Sequence, residues 1–260
     1  MEDLPSSGTE PADSAVVRVL SYNIRSMRDD TAALARVIRA CAPDLVLVQE
    51  APRFFRWRKA AARLAASTGL YYVTGGATTA GPMILASLRV QVERAEDVLL
   101  PRTPGLHQRG FATAVVRIGG ARLSVVSMHL SLQAAERAQQ AELLLRRVDA
   151  LGEPCAVVGG DLNDRPDGRA FGLIAGELQD CFAVAPRGGD ETWPAGGAEK
   201  RIDAVFCSKE VAVVGAGVPE GVPGLLEADL RVATDHLPVL AVLRVPPSGS
   251  LAVPSNAGQA

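Results

Sequence analysis

The strongest constraint in this chain is the stretch Val157-Val158-Gly159-Gly160-Asp161-Leu162-Asn163-Asp164, an apolar run that meets two glycines and then an acid and an amide two residues apart. Such a run predicts a buried strand ending in a functional turn. Extended backbone sends alternate side chains to opposite faces, so Asp161 and Asn163 point together past the strand end. The glycines allow a sharp bend there, or the close approach of a ligand. A strand followed by an ordinary Asx turn accounts for the same residues, so the rest of the chain has to discriminate.

At 260 residues, with apolar residues spread evenly, the chain reads as one domain over residues 16–245. Residues 1–15, acidic and carrying Pro5, Ser6, Ser7, Gly8 and Pro11, lack the basic start and apolar block of a secretory signal and are expected to be a disordered tail. Residues 246–260, rich in Pro, Ser, Gly and Ala, are expected to be a second. No apolar run approaches the roughly 20 residues of a membrane helix, so membrane insertion is not expected. Cys41, Cys155, Cys181 and Cys207 show no Cys-x-x-Cys pairing, which favours buried free thiols in a reducing, cytoplasmic setting over disulfides or zinc. The formal net charge is −2. Only Arg53, Arg56, Arg58, Lys59 and Arg63, with Phe54, Phe55 and Trp57 among them, form a basic cluster; it reads as a solvated helix face with its aromatics turned inward.

Taken in order, Val16 to Asn23 predicts a central strand with Val17, Val19 and Ser21 opposite Leu20 and Tyr22. Asp30 caps a helix through Ala40, and Leu45 to Val48 forms a second strand that stops at Gln49 and Glu50. A basic helix follows Pro52 to Ser67, with strands near 70–73, 83–87, 90–98, 111–118 and 122–130, the last ending on His129. Gly119-Gly120 signals a hairpin. A helix over 133–150 covers a sheet, and another lies around 168–175. The final strands, 202–208 and 237–245, begin on polar residues: Asp203 in one, Asp235 and His236 before the other. Between antiparallel neighbours one strand's start lies beside the other's end, so all these polar residues gather on one edge.

That edge carries Asn23, Glu50, His129, Asp161, Asn163, Asp203, Asp235 and His236, including two of the chain's three histidines. Each has an ordinary explanation alone: Glu50 as a helix-start acid, His129 as a core imidazole, Asp203 as a partner for Arg201, Asp235 as a turn cap. Six strand boundaries repeating the pattern are not explained that way. Four carboxylates in one cleft repel and call for a cation, and oxygen donors without cysteine indicate Mg²⁺ or Mn²⁺. Mg²⁺ keeps several waters and shares its shell with substrate phosphate, which predicts a phosphate-ester substrate. An imidazolium braced by a carboxylate then serves a phosphoryl oxygen on which charge develops.

The segments Leu20-Ser21-Tyr22-Asn23-Ile24, Leu47-Val48-Gln49-Glu50, Ser127-Met128-His129-Leu130, Gly160-Asp161-Leu162-Asn163, Arg201-Ile202-Asp203-Ala204-Val205-Phe206 and Thr234-Asp235-His236-Leu237-Pro238-Val239 resemble the ordered motifs of the endonuclease/exonuclease/phosphatase superfamily, to which deoxyribonuclease I belongs. Thr192-Trp193-Pro194 also resembles its lead into the Arg-Ile-Asp segment. The resemblance implies a four-layer α/β sandwich of two mixed sheets packed face to face, with helices outside. It implies a divalent metal held chiefly by Glu50, with help from Asn23 and Asp235. It further implies that Asp161 aligns or deprotonates the attacking water, that Asn163 holds that water or a phosphate oxygen, and that Asp203 orients a catalytic partner. His236 would contact the scissile phosphate, and His129 would stabilise charge or protonate the leaving group.

His129-Leu130 resembles the branches that include deoxyribonuclease I, sphingomyelinases, inositol-polyphosphate phosphatases and deadenylases, not the abasic-site branch. The chain departs from the family at Gly81-Pro82-Met83-Ile84-Leu85-Ala86-Ser87, where Pro82 and Ser87 stand in place of an amide and a basic residue. Arg109, at the head of a strand, is a candidate phosphate contact. The expected activity is hydrolysis of a small or lipid-derived phosphodiester or phosphomonoester. A deoxyribonuclease-like nuclease is the alternative, disfavoured by a mildly acidic chain with few aromatics. A non-catalytic binding protein on the same fold is the third reading, opposed by retention of Glu50, Asp161 and His236. Specificity is expected in the loops 74–81, 101–110, 185–201 and 216–233.

Overall fold

Runs of Val, Leu and Ile become strands here because branched side chains pack on a pleated surface and the central strands are covered on both faces. The computed structural model describes residue 1 and residues 3–10 and 14–249. In chain order the strands are β1 (Gly8–Thr9), β2 (Ala15–Asn23), β3 (Leu45–Gln49), β4 (Tyr71–Gly75), β5 (Met83–Ala86), β6 (Gln91–Leu99) and β7 (Gly110–Ile118). They continue as β8 (Ala121–His129), β9 (Ala156–Asp161), β10 (Gln179–Asp180), β11 (Asp203–Cys207), β12 (Ala212–Gly217) and β13 (Val239–Val245). The helices are α1 (Thr31–Cys41), α2 (Trp57–Thr68), α3 (Ala134–Leu151), α4 (Arg169–Glu177), α5 (Cys181–Val184) and α6 (Glu227–Ala233).

One sheet runs β12-β13-β2-β3-β5-β4, with β1 added to β2, and the other runs β10-β11-β9-β8-β7-β6. Alternation sorts the side chains into layers. Val17, Val19, Leu45, Leu47, Val125, Val157 and Val205 fill the space between the sheets. Leu20, Tyr22, Val46 and Val48 turn outward to Leu34 and Ile38 of α1, Leu64 of α2 and Leu230 of α6. On the far side Met128, Val158 and Phe206 meet Leu144 of α3 and Phe171 of α4. The result is a four-layer α/β sandwich. Asp30 caps α1 as expected, accepting from the N–H groups of Ala32 and Ala33 at 2.9 Å each.

Each sheet contains one parallel pair, and the two pairs place the polar strand ends. β2 and β3 finish together, with Asn23 opposite Gln49, and β8 and β9 finish together, with His129 opposite Asp161. The antiparallel neighbours begin at the same edge: Asp203 faces Asp161 across β11 and β9, and Val239 faces Ser21 across β13 and β2.

Beyond the short elements β10, α5 and β12, which no sequence pattern announced, the structure departs from expectation at several points. Gly159 and Gly160 do not end β9 in a bend but lie within its ladder. A Cβ on Gly159 would lie 2.8 Å from Leu47 Cδ1 of the opposite sheet, and one on Gly160 would collide with the Met128 carbonyl, so both glycines serve close packing. The N-terminal segment is not a loose tail throughout, because Gly8–Thr9 pairs with Ala15 and Val16 of β2 and Ser7 bonds to Asp44. In the C-terminal stretch Ser248 bonds to the Gly120 carbonyl, and residues 250–260 lie outside the described residues. The stretch 216–233 is not one loop; it holds the end of β12 and all of α6, which Arg36 of α1 ties down through Asp229. Finally, α2 starts only at Trp57, and Phe54 and Phe55 before it face solvent instead of turning inward.

Candidate active site

The carboxamide of Asn23, the last residue of β2, is where the two sheets meet. Its Nδ2 donates to Asp161 Oδ2 at 3.0 Å and lies 3.4 Å from both Glu50 Oε1 and His236 Nε2. Asp161 Oδ2 is in turn 3.4 Å from His129 Nε2 and 3.8 Å from His236 Nε2. Asn163 closes the turn after β9, donating its backbone N–H to Asp161 Oδ1 at 2.9 Å and its side-chain amide toward His129 Nε2 at 3.1 Å. His236 Nδ1 donates to Asp203 Oδ2 at 2.8 Å. Asn23, Glu50, His129, Asp161, Asn163, Asp203 and His236 therefore form one contiguous cluster. Arg201 pairs with Asp180 rather than with Asp203, which removes the ordinary explanation for that acid.

Asp235 is the exception. Its carboxylate faces Arg25 Nε at 3.5 Å and accepts the Thr234 hydroxyl at 3.3 Å. It makes no hydrogen bond to Asn23 or Glu50 among the described residues, and it shares Arg25 with Asp29, which lies 3.2 Å from Nη1.

Two cluster residues hold left-handed backbone, Glu50 at φ 52° and Asn163 at φ 50°. Asparagine tolerates that region; glutamate at this position costs on the order of 1 kcal/mol or more and is held in place by its surroundings. The Ser26 N–H donates to the Glu50 carbonyl at 2.7 Å, and Gly81, at φ 131°, packs against the Glu50 Cα. Gly81 thus belongs to the architecture of the site.

Burial and mutual charge separate the protonation states. Burial, with the Asp203 charge beside it, pushes the Asp161 carboxyl up to about 7. Burial works to depress His236, but the Asp203 charge and hydrogen bond outweigh it and carry the imidazole up to about 10. His129 goes the other way: burial and then the nearby Arg109 charge hold it well below the usual histidine range. His129 is thus neutral, which matches its acceptance of a hydrogen bond from Asn163. Two imidazoles of opposite charge state flank one carboxyl, the arrangement by which acid and base tasks are divided.

These groups lie at the floor of a cleft of about 710 Å³ whose wall also carries Arg53, His107, Arg109, Arg137, Arg165, Trp193 and Lys200. Arg109 is 8% exposed, and its Nε has no partner among the described residues. Asp161, Glu50 and Glu136 are the acids whose charges act on it. All three histidines line this one cleft. Sequence reasoning missed His107, Arg137, Arg165 and Lys200 as cleft residues. The available signals were the lone third histidine and the neighbourhood of the Thr192-Trp193-Pro194 segment.

One ligand atom from each of Asp161, Asp203 and His236 lies within 4.8 Å of the others. The 2.8 Å bond between His236 and Asp203 occupies two of the three residues with each other, so this triad reads as an oriented imidazole. Glu50, whose carboxylate meets only the Asn23 amide among the described residues, offers the freer oxygen donor. With Asp161 alongside, the donor set is oxygen-rich and anionic and fits a hard divalent cation.

A four-layer α/β sandwich that gathers acids, amides and imidazoles at one shared sheet edge defines the class of the protein. The chain belongs to the Endonuclease/Exonuclease/phosphatase family, whose sequence profile matches residues 20–236. No curated protein sequence matches it. Among solved structures it is similar to an endonuclease/exonuclease/phosphatase of Bacteroides vulgatus, 22% identical with TM-score 0.73 over 88% of this chain and 99% of that one. It is also similar to a mannosyl-6-phosphatase of Bacteroides thetaiotaomicron, 18% identical with TM-score 0.71 over 87% and 99% of the two chains. A third is D. rerio TDP2 complexed with single strand DNA product, 18% identical with TM-score 0.70 over 88% and 98%.

Proposed function

We propose that this chain is a divalent-metal-dependent hydrolase of phosphoester bonds in a small or lipid-derived phosphate. The observation that carries the reading is the convergence on Asp161 Oδ2, which has Asn23, His129 and His236 within 3.8 Å and Glu50 beyond the Asn23 amide. Family membership and the phosphatase among its structural neighbours support it.

Glu50, with Asp161 alongside and Asn23 once its amide turns Oδ1 inward from the Arg25 N–H, would hold Mg²⁺ or Mn²⁺, which supplies a Lewis acid for a phosphoryl oxygen. The protein's own groups do the rest. Asp161, held by the Asn23 amide and the Asn163 N–H, is suited to align and deprotonate a water. Asn163, fixed by its turn, holds that water or a phosphate oxygen. His236, cationic and braced by Asp203, donates to the phosphoryl oxygen on which charge grows. His129 is neutral and serves the leaving-group side, while Arg109 meets the phosphate from within the wall. The cleft volume falls in the range of small-molecule sites, which favours a compact substrate over a polymer. Its arginine-rich wall keeps a nuclease as the second reading.

The test is a panel of bis-p-nitrophenyl phosphate, inositol phosphates, hexose 6-phosphates, sphingomyelin and plasmid DNA, each with Mg²⁺ or Mn²⁺ and with chelator. Hydrolysis of a small ester that needs the cation and is lost in Glu50→Ala is the expected result. Activity that survives chelation removes the metal from the reading, and preferred cleavage of DNA replaces it with the nuclease.

A further inference from the structure

Between Glu50 and α2 the chain runs Arg53-Phe54-Phe55-Arg56-Trp57-Arg58-Lys59 and gives its apolar side chains to solvent: Phe54 is 80% exposed and Phe55 87%. The cause is local. The Trp57 N–H donates to the Phe54 carbonyl at 3.0 Å, closing a turn in which Arg56 takes left-handed backbone at φ 60°. Trp57 packs inward over Gly76, where a Cβ would lie 3.1 Å from its Cζ3. With Trp57 anchored, the two preceding rings stand at the tip. Adjacent exposed phenylalanines forfeit hydrophobic stabilisation in the free protein, and such a pair marks a contact surface.

Charge names the kind of surface. Residues 51–68 carry Arg53, Arg56, Arg58, Lys59 and Arg63 and not one acidic residue. Ion pairs elsewhere in the described residues consume many arginines, among them Arg36, Arg89, Arg117 and Arg122, but none of these five cations. Position names the role. Arg53 lines the cleft just after Glu50, and Leu132, 68% exposed, lines the same cleft. Apolar and cationic groups therefore share its rim.

We propose that Phe54 and Phe55 dock the mouth of the cleft onto an anionic phospholipid surface. Aromatic tips enter the interfacial layer while flanking Arg and Lys reach the headgroup phosphates. The Arg56 guanidinium sits over Phe55 at 5.0 Å and the Arg53 guanidinium over Phe54 at 5.9 Å, so each exposed ring carries its cation with it to the headgroup layer.

Co-sedimentation of the full chain with phosphatidylcholine vesicles, with and without phosphatidylserine, tests this apart from catalysis, so its outcome is independent of the hydrolase reading. The chain is expected to pellet with the anionic vesicles only, and less as salt rises. Phe54→Ser with Phe55→Ser lowers the bound fraction about tenfold while circular dichroism and hydrolysis of bis-p-nitrophenyl phosphate stay unchanged. Arg58→Glu with Lys59→Glu, both on the exposed face of α2, weakens binding and flattens its salt dependence. The proposal is overturned by absence of pelleting with phosphatidylserine at low salt, by equal pelleting of the serine variant, or by ring-dependent binding of a single-stranded oligonucleotide in place of vesicles.

Discussion

His236 donates from Nδ1 to Asp203 Oδ2 across 2.8 Å, and through that bond the loop before β13 is fixed to the first residue of β11. Both residues are buried, so the bond is not in competition with bulk water. It fixes which nitrogen carries the proton toward the carboxylate and leaves Nε2 facing Asn23 and Asp161. Asp203→Asn removes the charge but keeps the shape. Turnover is expected to fall on the order of 10²- to 10⁴-fold with a small change in KM, and His236→Ala should fall in the same range. Because the two act as a unit, the double variant should cost little more than the worse single one. Steady-state kinetics of the three variants, with melting curves to confirm folding, decide it. Near-normal turnover in folded Asp203→Asn would reject the orienting role.

Arg109 is expected to act through binding. A guanidinium that is 8% exposed, with an Nε unpartnered among the described residues and the acids Asp161, Glu50 and Glu136 acting on it, is prepared for an anionic group in the cleft. Arg109→Lys retains charge but loses the planar fork, and a rise in KM of about tenfold with a smaller loss of kcat is the expected signature. Product inhibition by inorganic phosphate should weaken in parallel. A variant whose loss lies wholly in kcat would instead assign Arg109 to the chemical step.

How much of this was legible in the sequence follows from which signals are local. A buried run that stops on a polar residue announces its own end, so Asn23, Glu50, His129, Asp161 and Asp203 could be read before the fold was known. The layers were legible for the same reason: Val17 and Val19 lie between the sheets and Leu20 and Tyr22 under the helices, as alternation requires. β12 was invisible because Ala212-Val213-Val214-Gly215-Ala216-Gly217 has no clean alternation, and its register shifts between Val213 and Gly215. α6 is a seven-residue helix, too short for helical spacing to stand out. The cleft cations come from positions whose directions depend on loop conformation, which no periodicity encodes. Phe54 and Phe55 were read inward because burial favours them; only the turn at Arg56 and the anchoring of Trp57 reverse that.

Asp44 is expected to be the most sensitive polar position away from the cleft. It is 2% exposed and accepts from the Arg18 N–H at 2.9 Å, the Ser7 hydroxyl at 2.7 Å and Arg89 Nη1 at 2.6 Å. Asp44→Ala leaves those donors without their acceptor, and a loss of about 2–4 kcal/mol follows from the buried groups stranded. Chemical denaturation should show it, and hydrogen exchange should rise over residues 3–10, which lose the Ser7 tether. Unchanged exchange there would mean that β1 pairing alone holds the segment.

Tyr22 is the opposite case, a residue whose polar atom is a liability. Its side chain is fully buried between β2 and the helices, and its hydroxyl has no hydrogen-bond partner among the described residues. Burial also pushes the phenol well above its usual range, so it stays neutral. Leaving a buried hydroxyl without a protein partner costs about 1–3 kcal/mol, whereas phenylalanine fills nearly the same volume without that cost. Tyr22→Phe is therefore expected to stabilise the fold, raising Tm by about 2–4 °C for each kcal/mol recovered in a chain of this size. Since Tyr22 stands one residue before Asn23 but points to the opposite face, activity should hold. A lower Tm would reveal that the hydroxyl has a partner in solution, and a loss of activity would show that packing under β2 sets the position of Asn23.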